Sequence, residues 1–353
     1  MVGRRSILFA LVALAIAGCA GAGSRSMPPS PAAIQPQSAR TVPESAVRTT
    51  SARRLATPVP LATGLLDPTS LALHGPDVFI GDTTVSSVPR TGGPLRTVLT
   101  GTSFFDYGSN RGVNAIAFAA PDTIVVGFGG YAYYAITAAP IATGVQTQLT
   151  SVQAGFLVDV FGPNVYYGYG FCCIKWLPVV GGATQTFNAH IWLRSTATDA
   201  ASIFFVDYWT RNVERFDVAT HTLTQVITGN AVEGKIVIDR THVYHQQGAA
   251  IQKVSKQGGP ITVIYTGTEP QVLAVDNDDV FFTDGPDLKA VPIRGGPART
   301  LVSGVRVLAA AADKKYLYFS DDSRGAGSSV VYRIRTGPSG PRRESGDESP
   351  EDD

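Results

Sequence analysis

Apolar positions along the chain gather into short runs that repeat. Two or three β-branched or aromatic residues are followed by a small residue and often by an aspartate: VFIGD (Val78 to Asp82), IVVGF (Ile124 to Phe128), VYYGY (Val165 to Tyr169), IFFVD (Ile203 to Asp207), HVYHQ (His242 to Gln246), VFFTD (Val280 to Asp284) and LYFSD (Leu317 to Asp321). Such runs read as buried strands. Seven copies at a period of about 40 residues indicate stacked units, each a small sheet that buries its faces only against its neighbours.

The unit parses most cleanly between Gln271 and Gly304. Val272 to Val275 reads as a first strand, Val280 to Thr283 as a second, Leu288 to Ile293 as a third and Ala298 to Val302 as a fourth. Gly295-Gly296-Pro297 turns the chain between the last two, and glycine pairs return at Gly92-Gly93, Gly181-Gly182 and Gly258-Gly259. Asp199, Asp239, Asp276 and Asp313 each stand four residues before the apolar start of a second strand. Aspartate at one repeated position points to turn hydrogen bonding rather than to metal binding. The aspartates ending the second strands, Asp82, Asp207, Asp284 and Asp321, receive the same structural reading.

The seventh unit lacks a fourth strand before the C-terminal tail. Val59 to Gly64 resembles Arg299 to Gly304 and can supply it, so that the chain's beginning closes a ring with its end. Closure would pair two edges that are otherwise open to aggregation. The expected fold is all-β, with seven four-stranded units and ring closure by an N-terminal strand. The irregular second and third units leave six or eight units as alternatives.

The motifs Asp207-Tyr208-Trp209-Thr210, Val280 to Asp284 and Leu317 to Asp321 resemble the YWTD-type repeats of β-propellers. Together with the glycine turns they also resemble bacterial propeller lipoproteins of poorly defined function. The resemblance spans about Val59 to Thr336 and implies a β-propeller. Familiar YWTD propellers have six blades, so their partners do not carry over to a chain with seven units.

Composition agrees with a large all-β core: 353 residues, 44% hydrophobic, with 37 Gly and 23 Pro. The 29 basic and 28 acidic residues exclude the strongly basic character of a general nucleic-acid binder. At the N-terminus, Arg4 and Arg5 precede an apolar run, Ile7 to Ala17, that is too short for an ordinary transmembrane helix. It ends in Ile16-Ala17-Gly18-Cys19, which resembles a bacterial lipobox and implies lipidation at Cys19, with membrane attachment through that lipid. An ordinary secretory signal is the alternative. By resemblance to lipoprotein sorting, Ala20 after the lipid site implies the outer membrane of the bacterial cell envelope. The expected organisation is therefore a signal peptide and lipobox over residues 1–19, a disordered tether over 20–57, the propeller over 58–336 and a disordered acidic tail over 337–353.

Once Cys19 is assigned to lipid, Cys172 and Cys173 stand adjacent at an expected turn, in an oxidising compartment. A vicinal disulfide forming a rigid knob is expected, with two reduced thiols or a redox pair as alternatives. Aromatic residues crowd the same units. Most are expected to pack between sheets, but Tyr131, Tyr169 and Phe171 fall in turns and are candidate binding residues for a protein or carbohydrate partner.

His242 and His245 have a spacing that puts them on opposite strand faces, a poor arrangement for one metal. The chain has no Gly-x-Ser-x-Gly elbow, His-Glu-x-x-His motif or phosphate-binding loop, and nothing in it calls for a cofactor or metal. The favoured reading is a binding or scaffolding module. The competing one is a propeller hydrolase or lyase using a metal-dependent carboxylate site on a carbohydrate or lactone.

Overall fold

The computed structural model describes residues 57–99, 112–119, 122–129, 134–152, 155–170, 172–229 and 232–336. The expected targeting segment, all but the last residue of the tether, and the acidic tail lie outside them. The described residues form seven four-stranded antiparallel sheets and contain no helix. The sheets are the blades of a β-propeller. Six blades, numbered 1 to 6 along the chain from Ser70–His74 onward, use four consecutive strands, so each is a simple up-and-down meander, and blade 7 takes the last three strands with one from the chain's beginning.

The second strand of a blade is covered on both faces, which is why it reads as a continuous apolar run instead of an alternation. In blade 6, Asp279–Asp284, the side chains of Val280, Phe281 and Phe282 are all fully buried. Val280 and Phe282 pack with Tyr244 and Ile251 of blade 5, whereas Phe281 packs with Leu317 and Phe319 of blade 7. Seven such clusters occupy the seven junctions between neighbouring blades. The core is therefore a ring of interfaces, and no blade has a core of its own.

The ring closes as the N-terminal pattern predicts. Val59–Leu65 is the outermost strand of blade 7 and pairs antiparallel with Ser329–Arg335, with Val59 opposite Arg333 and Leu65 opposite Ser329. Pro60 has no N–H to donate, and its strand lies on the blade's outer edge, where proline is tolerated. The glycine pairs also act as expected: Gly295 and Gly296 have φ of 86° and 129°, which a Cβ would oppose, in the turn after the third strand.

Two aspartate devices recur at opposite ends of the blades. Between first and second strands, one carboxylate oxygen accepts the amides two and three residues ahead: Ala201 and Ser202 for Asp199, Thr241 and His242 for Asp239, Asp278 and Asp279 for Asp276, and Lys315 and Tyr316 for Asp313. The second oxygen often reaches the next blade. Asp199 binds the Lys256 ammonium at 2.7 Å, and Asp313 binds the Arg90 guanidinium at 3.1 Å across the closure. At the other end, the aspartate closing a second strand holds the segment that enters the blade. Asp82 accepts the amides of Leu66 and Asp67, Asp207 that of Trp192, Asp284 those of Thr268 and Glu269, and Asp321 that of Arg306.

The innermost strands pack against one another around the axis in an unbroken circuit. In blades 2 to 7 the innermost strand is bulged, its register with the second strand slipping near the entering end. A bulge adds an unpaired residue to one strand and re-aims its side chain.

Candidate functional site

All turns between second and third strands emerge at one end of the propeller, because the strands alternate in direction within each blade. Over blades 3 and 4 these turns build a continuous surface. In blade 3, Asn164–Tyr169 ends at Tyr169, whose carbonyl accepts the Cys172 amide at 3.4 Å. The Lys175 ammonium lies 3.8 Å from the centre of the Tyr169 ring, a cation–π contact that fixes the ring. Cys172 and Cys173 are joined through their sulfurs at 2.07 Å. Cys173 is buried and Cys172 half-buried, so the linked pair is seated in the turn instead of standing clear of it.

From that turn the surface passes directly to blade 4. The Ala189 amide donates to the Cys172 carbonyl at 3.3 Å, and the segment continues through Ile191, which is buried, to Trp192. The Tyr208 amide then donates to the Trp192 carbonyl at 2.7 Å. Three rings meet here. Trp192 lies 3.9 Å from Tyr208 and 5.7 Å from Trp209, centre to centre, and Tyr208 meets Trp209 edge to face at 5.4 Å. The Arg211 guanidinium is 5.2 Å from the Tyr208 ring. Trp209 is 59% exposed, an unusual position for the largest apolar side chain.

Asp207 organises this cluster. One of its oxygens accepts the amides of Trp192 and Trp209, at 3.1 and 3.4 Å, and the other accepts the amide and hydroxyl of Thr210, at 3.2 and 2.8 Å. The Asp-Tyr-Trp-Thr motif thus divides its labour: the acid gathers the turn, the threonine closes it and the two rings face outward. Glu214 lies close by in the third strand of blade 4. Burial, and secondarily the negative charge of Asp207, pushes its carboxyl above the ordinary range. Here Asp207 is 3% and Glu214 6% exposed, and the oxygens of Asp207 are occupied by the turn.

The other aspartates that close second strands are committed in the same way. Asp82, Asp284 and Asp321 each accept two or more backbone amides. Among the described residues no group of three or more His, Cys, Asp or Glu side chains is placed to hold one metal ion. His245 is fully buried and its titration is pushed down to about 4 by burial, while His242 sits by the turn of Asp239.

Of the residues singled out in the sequence, Tyr169, Cys172 and Cys173 come together here, whereas Cys19, Tyr131 and Phe171 lie outside the described residues. Tyr134, Tyr166 and Tyr167 are buried between blades, as packing residues should be. Trp192 is not marked by the repeat because it belongs to a connection between blades, although it stands 15 residues before Asp207, the offset that recurs in Asp67/Asp82, Glu269/Asp284 and Arg306/Asp321.

No protein-family model matches the chain, and no curated protein matches it. Solved propellers do. YCF48 bound to D1 peptide superposes with a TM-score of 0.61 at 9% identity, over 80% of this chain and 96% of that one. BamB from Moraxella catarrhalis gives 0.51 at 14% identity, over 80% and 89%. The extracellular domain of the BT4673 hybrid two component system from B. thetaiotaomicron gives 0.61 at 10% identity, over 79% of this chain and 42% of that one. At identities this low, the likeness shows the fold alone.

Proposed function

We propose that this chain is a lipid-anchored propeller of the bacterial envelope, resembling YWTD propellers in its repeats, that binds a protein partner through the end formed by the turns over blades 3 and 4. The observation that carries the reading is the exposed Trp209 held in a fixed three-ring cluster by a buried carboxylate. Rings that are already ordered lose little conformational entropy on binding, and tryptophan is enriched among residues that dominate interface energy. The linked Cys172–Cys173 turn and the Tyr169–Lys175 pair extend the same face. That two of the structurally similar propellers are a peptide complex and an extracellular domain supports the reading by analogy alone. The aspartates that close second strands are spent on backbone amides and lend no support to a hydrolase or lyase reading.

Trp209→Ala tests the face. With a photo-crosslinker placed at Tyr208 in intact cells, the native protein should yield a discrete adduct identified by mass spectrometry. Trp209→Ala should weaken that partner's binding by about thirtyfold or more, corresponding to about 2 kcal/mol, without lowering the melting temperature. Unchanged affinity would move the contact elsewhere; an adduct with glycan in place of protein would change the partner class.

The anchor and the cysteine pair are read by a second measurement. Intact mass of the purified mature protein should show lipid on Cys19 and a deficit of two hydrogens that reduction restores. Cys19→Ser should release the protein from membranes with its fold preserved. Retention of Cys19→Ser in the membrane fraction, or ready alkylation of both Cys172 and Cys173 in the native protein, would contradict these assignments.

A further inference from the structure

We propose that Arg194 and Lys235 form a binding site for an oxyanion, a carboxylate or phosphate group, near the propeller axis at the same end as the aromatic face. Both residues lie on innermost strands, Leu193–Thr198 of blade 4 and Glu233–Ile238 of blade 5. Each falls in a bulge. The register of the first slips between Leu193 and Ser195, making Arg194 the extra residue, and that of the second slips between Glu233 and Ile236, setting Gly234 and Lys235 out of the ladder. Gly234 has φ of 71°, the left-handed conformation that admits such a bulge.

The two bulges lie at one level. The Ser195 hydroxyl accepts the Ile236 amide at 3.1 Å, so the residues that directly follow the two cations are in contact across the blade boundary. Arg194 and Lys235, which directly precede that contact, therefore stand at one level of adjacent innermost strands. Both are exposed. Lys235 donates one hydrogen bond, to the Leu273 carbonyl of blade 6 at 2.8 Å, which leaves two of its three N–H groups for a ligand. Gln271, two residues before Leu273, is also exposed on its innermost strand and adds an amide donor.

Among the described residues, neither Arg194 nor Lys235 takes part in an ion pair, and Glu233, two residues before Lys235, pairs with neither. Some cations elsewhere have such partners, Arg90 with Asp313 and Arg306 with Asp322, whereas Lys253 rests, like Lys235, on a backbone carbonyl, that of Ile293. Lys235 keeps exposed surface while its ammonium packs onto the Leu273 carbonyl. Desolvation, with no carboxylate to offset it, pushes the group below the ordinary lysine range. An anion held by both cations would offset the desolvation of the ammonium and gain charge-assisted hydrogen bonds. A planar guanidinium and a mobile ammonium together suit the oxygens of a carboxylate or phosphate.

The test is titration calorimetry on the full-length mature protein in detergent at low salt, with inorganic phosphate in one series and succinate in another. The native protein should take up at least one of the two anions. Arg194→Gln combined with Lys235→Met should weaken that uptake by about a hundredfold, or about tenfold for each charge removed. Arg194→Lys combined with Lys235→Arg keeps both charges and should retain most of the binding. Phosphate-only uptake would point to a phosphate-bearing ligand, and succinate-only uptake to an organic acid. No heat with either probe, or heat undiminished in Arg194→Gln/Lys235→Met, would overturn the site. The single Arg194→Gln variant, at an exposed position, provides the same reading if the double variant does not fold.

Discussion

A chain lacking Val59–Leu65 should lose its cooperative thermal transition and precipitate at concentrations where the intact protein stays in solution. That strand places Leu61, Ala62 and Leu65 into the junction between blades 7 and 1, against Val78, Ile80, Val88, Tyr318 and Val331. Burial of two leucines and an alanine contributes about 4–7 kcal/mol. Its loss is comparable to the roughly 5–15 kcal/mol by which a folded domain exceeds its unfolded state. The damage would not stay local, because every blade's core is shared with a neighbour and an opened ring loses support on both sides of the break. The exposed edge of Ser329–Arg335 would also offer unpaired backbone groups to another chain. Leu61→Ala provides a graded comparison, with an expected cost of about 2–4 kcal/mol and cooperative melting preserved. Differential scanning calorimetry and sedimentation velocity measure both outcomes. A truncated chain that remained monomeric and melted close to the intact protein would show that blade 7 is stable with three strands.

The same shared burial explains why the fold was legible in the sequence while much of the candidate site was not. Val280, Phe281 and Phe282 are apolar in succession because they contact two blades at once, so the seven second strands announce themselves locally. The aspartates were legible as turn residues because a carboxylate that accepts amides two and three residues ahead works within its own segment. Their second role, holding Trp192 from Asp207 or Arg90 from Asp313, joins residues 15 and 223 positions apart and leaves only the regular 15-residue offset as a trace in the former. The aromatic cluster is therefore half visible in the sequence. Tyr208 and Trp209 mark the turn, whereas Trp192 arrives through the connection between blades 3 and 4.

The two cations near the axis were less legible still. Arg194 and Lys235 sit in stretches that begin as ordinary strand-entering sequence, and their positions follow from bulges that shift which residue is paired. A bulge changes the face on which later residues lie without requiring a distinctive residue of its own. Gly234 signals the bulge in blade 5, but nothing comparable accompanies Arg194. Pattern therefore identifies the blades, and register must be known before the residues near the axis can be assigned.

Asp284→Asn should destabilise the protein by about 3 kcal/mol at neutral pH, and that difference should shrink as the solution is acidified. The Asp284 carboxylate accepts the amides of Thr268 and Glu269 on one oxygen and receives the Tyr265 hydroxyl and the Lys289 ammonium on the other, at 2.6 and 3.1 Å. The connecting segment comes so close that a Cβ on Gly267 would stand 2.5 Å from a carboxylate oxygen, so glycine there is a condition of the contact. Burial alone would raise the Asp284 carboxyl, but the bonds from Glu269, Tyr265, Lys289 and Thr268 outweigh it and hold the group well below the usual carboxylate range. A carboxyl that ionises more readily in the folded chain contributes its full stabilisation above the unfolded value, about pH 4, and loses it as pH falls through the folded value. Asparagine can keep the two backbone bonds, but its amide nitrogen would face the Tyr265 hydroxyl and the Lys289 ammonium, leaving the lysine without its counter-charge. Urea unfolding of the native protein and the variant, at neutral pH and then stepwise below about pH 4, reads the difference directly. A gap of constant size across that range would mean that the side-chain geometry, and not the charge, secures the entry to blade 6.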